Sequence, residues 1–214
     1  MLTKGTKTYV TQSGANFRQL SFLDDYLIEF DGAIIAGGCF KNLLQQERAK
    51  DLDIFFRTVE DFIMAVTKIK NLVNSDSNWQ QSYSNDKVVA FNDVKNNFRL
   101  ELNRSEFGDP EKLLRSFDFT ITKFAYYAKE NKTSSGIDFE VMYHKDFFEH
   151  LLLKRLVLDD KIPFPIATFN RSYRYNSYGY GLCRESKIKL LTAINELGEI
   201  DEDELGKSLY NGRD

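Results

Sequence analysis

The chain has 214 residues, 42% of them hydrophobic and 14% aromatic, with a net charge of −3. That is enough apolar material for one domain with a sizeable core, or one domain with a helical appendage. The acidic balance excludes a broadly basic nucleic-acid surface, so any RNA or DNA contact must be a local patch. Cys39 and Cys183 are too few for a disulfide framework or a cysteine-built metal cluster. With no signal peptide and no apolar run of membrane-spanning length, a cytoplasmic protein without membrane attachment is expected.

Residues 1–12 are polar, with a short β-prone piece at Thr8-Tyr9-Val10. Phe17, Leu20, Leu23, Tyr26, Leu27 and Phe30 recur at helical spacing and predict an amphipathic helix packing on the first strand. The apolar run Ala33–Ala36 ends at Gly37-Gly38, and about a dozen residues later comes Asp51-Leu52-Asp53-Ile54-Phe55-Phe56. This pattern reads as strand, tight glycine turn, short helix and strand. Glycine lets the backbone approach a ligand and adopt positive φ. The N-terminus of the following helix presents free N–H groups to phosphate.

On the second of these strands, residues i and i+2 share a face, so Asp51 and Asp53 project together. Two carboxylates about 4 Å apart repel by roughly 1–4 kcal/mol. A divalent cation removes that penalty, and hard oxygen ligands suit Mg²⁺ completed by substrate phosphates. A phosphate turn beside a carboxylate pair is the equipment of phosphoryl or nucleotidyl transfer.

Val59, Phe62, Ile63, Val66, Ile69, Leu72 and Val73 predict a second amphipathic helix, and 74–86 a polar loop around the single Trp. Val88–Phe91 and Phe98–Leu102 read as a hairpin turning through Asn92–Asn97. Glu101 alternates with Arg99 on the second of these strands. It is either a third carboxylate or an exposed residue of a polar face. Asp109-Pro110 starts a helix that leads into Arg115-Ser116-Phe117-Asp118-Phe119-Thr120-Ile121-Thr122. Asp118 is either a ligand-facing carboxylate or a helix N-cap.

Residues 129–136 form a polar flexible stretch, Ile137–Tyr143 an edge strand and His144–Leu158 a helix. Neither His144 nor His150 has metal-ligand partners in the sequence pattern. After the Lys161–Pro165 loop, Arg171 and Arg174 stand at i and i+3 on a helix, hence on one face. Arginines can hold a triphosphate by multi-donor hydrogen bonds. Tyr173, Tyr175, Tyr178 and Tyr180 offer stacking surfaces for a base or a single strand. Lys187–Leu197 is a further helix, and Glu199–Glu204 an acidic solvated face followed by a last helix to Asn211.

Gly37-Gly38-Cys39-Phe40-Lys41-Asn42 with the following D-x-D resembles the signature of the DNA polymerase β-type nucleotidyltransferase superfamily. It is most similar there to the head of class II CCA-adding enzymes and bacterial poly(A) polymerases. Their first motif reads G-G-x-x-R-D, with Lys41 and Asn42 here in place of Arg and Asp. Asp118-Phe119-Thr120-Ile121 resembles their second motif, R-R-D-F-T-I-N-A, with Phe117 in the Arg position and Thr122 in the Asn position. Arg171, Arg174, Tyr175 and Gly179-Tyr180 resemble their third. The resemblance spans about residues 30 to 182.

It implies an α+β fold, a mixed sheet of about five strands flanked by helices with a small helical C-terminal region. A catalytic core over 1–132 and a mostly helical region over 133–214 would complete the nucleotide cleft. Asp51 and Asp53 would hold one or two Mg²⁺ ions, and Glu101 would act as base or third ligand. Gly37, Gly38 and Lys41 would cradle the triphosphate of ATP or another NTP, Asp118 would face the ribose, and Arg171 and Arg174 the β- and γ-phosphates. The acceptor would be an RNA 3′ end (including tRNA), a protein side chain or a small molecule. The relatives continue well beyond their head, so CCA addition itself is not expected. The alternatives are an inactive nucleotide- or nucleic-acid-binding module, favoured by Lys41, Asn42 and Phe117, and a toxin-like enzyme modifying a protein or tRNA.

Overall fold

The computed structural model describes residues 7–129, 136–159 and 161–209. In chain order the elements are β1 (Tyr9–Ser13), a 3₁₀ segment (Gly14–Leu23), α1 (Asp24–Glu29), β2 (Ala33–Ala36), α2 (Cys39–Leu43), β3 (Asp51–Phe56), α3 (Val59–Ser75), β4 (Trp79–Ser84), β5 (Val88–Asp93) and β6 (Phe98–Phe107). There follow α4 (Pro110–Arg115), a 3₁₀ turn (Thr120–Thr122), β7 (Phe124–Ala128), β8 (Phe139–His144), α5 (Phe147–Leu152), β9 (Arg155–Leu156), α6 (Pro165–Ser177), β10 (Gly181–Leu182), α7 (Arg184–Asn195) and α8 (Glu202–Ser208).

The fold is α+β, a mixed sheet flanked by helices, but the sheet has eight strands rather than about five. Their order is β1-β8-β7-β2-β3-β6-β5-β4. β3 and β6 run parallel, and every other neighbouring pair in that sheet is antiparallel. β2 is all apolar because it is buried on both faces. Ile35 faces the main core, whereas Ile34 and Ala36 join a second core with Phe55, Leu113, Leu114 and Phe117. α4 supplies Leu113 and Leu114 to that second layer. α3 begins at a capping box: Asp61 N–H donates to Thr58 Oγ1 and Thr58 N–H to Asp61 Oδ2, both at 3.1 Å.

The extra strands are ones whose side chains carry no period-two signal. β4 lies in the expected polar loop and is exposed along almost its whole length. Backbone pairing to β5 makes it a strand, not a hydrophobic face. β7, Phe-Ala-Tyr-Tyr-Ala, is a continuous buried run that alternation cannot reveal. β8 forms where an edge strand was expected, yet it is interior, between β1 and β7.

The helix expected over Phe17–Phe30 divides into the 3₁₀ segment and α1. Phe17, Leu20 and Leu23 are spaced by three, which suits three residues per turn, and all are buried. The helix expected over His144–Leu158 is limited to α5. Lys154 takes φ 53° and ends it, and Arg155–Leu156 pairs in parallel with Gly181–Leu182. The 129–136 stretch and the end of the last helix at Asn211 lie largely outside the described residues.

Phe117 occupies the position where the related motif carries arginine. Here it is 3% exposed and meets the Phe55 ring edge-on at 5.7 Å between centroids. Urea unfolding of Phe117→Ala is expected to show a loss of about 3–5 kcal/mol, and Phe117→Arg at least as large a loss. Stability unchanged by either substitution would contradict this second core.

Candidate active site

The parallel pairing of β3 and β6 sets Asp51 beside Arg99 and Asp53 beside Glu101. Alternation puts Leu52, Ile54, Leu100 and Leu102 into the core, so the four charged side chains share the opposite face. Arg99 Nη2 lies 2.6 Å from Asp51 Oδ1 and Arg99 Nε 3.2 Å from Glu101 Oε1. Asn103, next on the same face, donates to Asp53 Oδ1 at 3.5 Å. Burial pushes the Asp53 carboxyl up to about 7, with Glu101 and Asp51 adding to the rise. Arg99 sits 5.8 Å from the centre of the Tyr83 ring, and burial followed by the Glu101 carboxylate raises the Tyr83 hydroxyl above its ordinary value.

Asp51, Asp53 and Glu101 open into a cleft of about 570 Å³. Gly38, Cys39, Lys41 and Asn42 line it from the glycine turn and α2, Arg174 and Tyr175 from α6, and Tyr178 from the residue that caps α6. Lys41, Arg48, Lys50, Lys154 and Arg174 supply positive charge at its walls. Lys41 Nζ is 5.0 Å from the centre of the Tyr178 ring. Burial holds the Lys41 ammonium below its ordinary value; Lys154 and Arg174 add to that and Glu47 opposes it. Lys154 Nζ donates to Gln45 Oε1 at 3.0 Å and to the Tyr180 hydroxyl at 3.3 Å. It gets there because the β9–β10 pair sets Arg155 against Gly181, one residue from each. Burial pushes the Cys39 thiol well above its ordinary value, which keeps it protonated.

The two glycines do different work. Gly37 has φ 102° and its N–H donates to the Phe124 carbonyl at 3.0 Å, so it turns the chain while staying tied to the sheet. Gly38 provides clearance: a Cβ there would stand 2.8 Å from the Tyr175 hydroxyl.

Asp51, Asp53, Glu101, Gly38, Lys41 and Arg174 thus share one cleft. Asp118 and Arg171 do not line it; they form a buried ion pair, with side chains 1% and 8% exposed. Arg171 faces inward from α6 while Arg174, one turn on, reaches the cleft. Burial raises the Asp118 carboxyl, and the Arg171 guanidinium pulls it down. Sequence reading missed the bridging role of Arg99, and missed Tyr83, Lys154, Arg48 and Lys50. The alternation of Arg99 with Glu101 was the available signal for the first. Nothing local marks Lys154, which arrives through β9–β10 pairing.

Among the described residues no group of three His, Cys, Asp or Glu side chains stands ready to hold a metal ion. Asp51 and Asp53 remain a hard-oxygen pair, and Mg²⁺ needs only one or two carboxylates when substrate phosphates and water complete its shell. The donor set therefore fits that ion.

Because Asp53 binds its proton more tightly when folded than the ordinary 3.9 or so of the unfolded chain, its ionised form costs stability. That cost grows as pH rises through about 7. In metal-free buffer near pH 8, Asp53→Asn is expected to raise stability by roughly 1–2 kcal/mol, discounted for partial solvent screening. The gain should vanish near pH 4; a destabilised variant at pH 8 would contradict the desolvated carboxylate. Gly38→Ala should cost about 1–3 kcal/mol by overpacking, and Tyr175→Phe in the same chain should recover most of it, as read by a double-mutant cycle.

Residues 13–154 match the family described as Gabija anti-defense 2 family protein. A curated relative, Gabija anti-defense 2 of Bacillus phage SPbetaL7, is 24% identical over 181 residues, covering 83% of this chain and 42% of the relative. A CCA-adding enzyme solved with CTP superposes with a TM-score of 0.64 at 15% identity, over 93% of this chain and 49% of that one. The Thermotoga maritima CCA-adding enzyme complexed with tRNA gives 0.62 at 14% identity, over 96% and 52%. The chain thus spans about half the length of the proteins it resembles. At such identities the solved structures show a shared nucleotidyltransferase-type fold, similar to the head of those enzymes. The chain itself belongs to the Gabija anti-defense 2 family.

Proposed function

We propose that this protein is a metal-dependent nucleotidyltransferase that moves a nucleoside monophosphate from an NTP to an acceptor hydroxyl, an RNA 3′ end before a protein side chain. In the phage relative's terms, that activity would serve counter-defence. The observation that carries the reading is the β3–β6 register, which gathers Asp51, Asp53 and Glu101 in one cleft with Lys41, Lys154 and Arg174.

In this reading Asp51 and Asp53 hold Mg²⁺, as one or two ions. When bound, that ion neutralises charge at the α-phosphate and lowers the pKa of the attacking hydroxyl. Lys41, Lys154 and Arg174 bind the β- and γ-phosphates. Tyr178, 53% exposed, offers a face for the base, whereas Tyr175 and Tyr180, each 2% exposed, are packed in the core and do not give the stacking surfaces expected of them. Glu101 accepts the hydroxyl proton as the acceptor oxygen bonds to the α-phosphorus and pyrophosphate leaves. Asp118 and Arg171 act from below, their ion pair fixing α6 so that Arg174 and Tyr175 face the cleft. The 1–132 portion would then contribute the carboxylates and Lys41, and the 133–214 portion Lys154 and Arg174.

A second reading has its own observation. Arg99 already bridges Asp51 and Glu101 and offsets part of their charge, and Lys41-Asn42 replaces the related Arg-Asp. A nucleotide-binding module that acts on a partner without transfer is consistent with both. No helix of the described residues is long and apolar enough to cross a membrane.

Incubation with each α-labelled NTP, Mg²⁺ and mixed RNA and protein acceptors separates the readings. Transfer is expected, with Asp51→Ala and Asp53→Ala each lowering it at least about 100-fold. Arg174→Ala should raise KM for the NTP about tenfold or more. NTP binding without transfer, indifferent to Asp53→Ala, would establish the module instead. Label on a protein or on tRNA alone would identify a modifying, toxin-like enzyme.

A further inference from the structure

A second cleft, of about 400 Å³, lies against the first and shares Arg48, Lys50 and Asp51 with it. Its remaining walls come from the β4–β6 edge of the sheet and include Gln80, Asn92, Val94, Phe98 and Arg99. The two clefts therefore meet at Asp51, on the face that carries the carboxylates.

Arg48, Lys50 and Arg99 outnumber Asp51 and Asp93 in this second cleft, so its formal balance is positive by one charge. Asp93 is 3% exposed and already accepts from the Tyr26 hydroxyl at 2.6 Å and from Asn96 at 3.0 and 2.8 Å. Asp51 is paired with Arg99. Arg48 and Lys50 are exposed. Arg48 spends one donor on the Asn97 carbonyl at 3.1 Å, leaving most of its fork available. Lys50 has no ion-pair partner among the described residues. Three cations and three amide side chains stand against two carboxylates in one groove, which on a chain of net charge −3 forms a local site for phosphate. A hydroxyl-bearing peptide would have no use for three cations. A single nucleic-acid strand would use all of them, with the amides free to hydrogen-bond its sugars and bases.

Arg99 belongs to both clefts' chemistry. It bridges Asp51 and Glu101 from one side and lines the second cleft from the other. While it is held there, it offsets part of the charge of Asp51 and Glu101 without any ligand. A phosphate arriving in the second cleft competes for the same guanidinium.

We propose that the second cleft binds a single-stranded nucleic-acid acceptor and that its backbone phosphate draws Arg99 off Asp51 and Glu101. Acceptor binding then bares the carboxylates, and the acceptor's terminal hydroxyl lies beside Asp51. This rests on the transferase reading of the first cleft. The oxygen of that hydroxyl bonds to the α-phosphorus, the bond from phosphorus to the bridging oxygen breaks, pyrophosphate departs, and the hydroxyl proton passes to Glu101. Arg99 is a positioning residue in this scheme, and its effect is a coupling between acceptor and metal that must be reciprocal.

The test uses the full chain and a fluorescent single-stranded RNA of mixed sequence without NTP. Anisotropy should show binding whose log K falls with log salt at a slope of about −2, as for three phosphate contacts. Gln80→Glu with Val94→Glu, both exposed, should weaken RNA binding about tenfold or more, and Gln80→Lys with Val94→Lys should tighten it. ATP binding by calorimetry should move less than about twofold in either pair, since neither residue lines the first cleft. RNA should strengthen Mn²⁺ binding at least about fivefold in the wild type. Arg99→Gln should show that strengthened affinity without RNA and no further response. Absent RNA binding, indifference to both charge pairs, or a Mn²⁺ affinity blind to RNA would each overturn the proposal. If RNA and Mn²⁺ couple as expected while no label is transferred, the transferase reading fails and the nucleic-acid cleft stands.

Discussion

The parallel hydrogen-bonded pairing of β3 with β6 is the constraint on which the site depends. It aligns residues from stretches separated by about fifty positions so that acids and arginine alternate across two neighbouring strands. The apolar partners on the other face lock that register, because a slip of one residue would drive Asp51, Asp53 and Glu101 into the core. Burial of Leu52, Ile54, Leu100 and Leu102 therefore holds like charges together that would otherwise repel.

That concentration of acid shapes the rest of the cleft. Asp53 is held at a raised pKa, Arg99 bridges Asp51 and Glu101 and offsets part of their charge, and the Tyr83 ring packs beside Arg99. Around this centre stand cations that arrive from distant parts of the chain: Lys41 on α2, Lys154 after α5 and Arg174 on α6. A mixed site of this kind suits a ligand that is itself polyanionic and carries a hard cation. Stability is surrendered locally at such a place, as is usual for strained and desolvated functional groups.

The buried Asp118–Arg171 pair and Phe117 illustrate how similar motifs diverge under packing. Where the related motif has arginine before the aspartate, this chain has a phenylalanine that closes a second core against Phe55. Arg171 takes up Asp118 from the other direction. The motif thereby anchors α6 rather than lining the cleft.

Some of this was legible in the residues alone. The apolar run before Gly37-Gly38 and the alternation of Asp51-Leu52-Asp53-Ile54 announce strand, turn and strand, because side-chain periodicity reports directly which face is buried. β4 and β7 were not legible, one mostly polar and exposed and the other a continuous buried run, since strands lacking alternation owe their form to backbone partners elsewhere. Nor did the sequence show that Arg99 would clasp Asp51 and Glu101, that Lys154 would meet Tyr180, or that Arg171 would turn inward while Arg174 faces out. By itself the sequence determined which residue types carry charge and which local segments bury a face. Only the tertiary structure decided which charges meet, because those meetings are set by strand order and register, which are long-range pairings with no local signature.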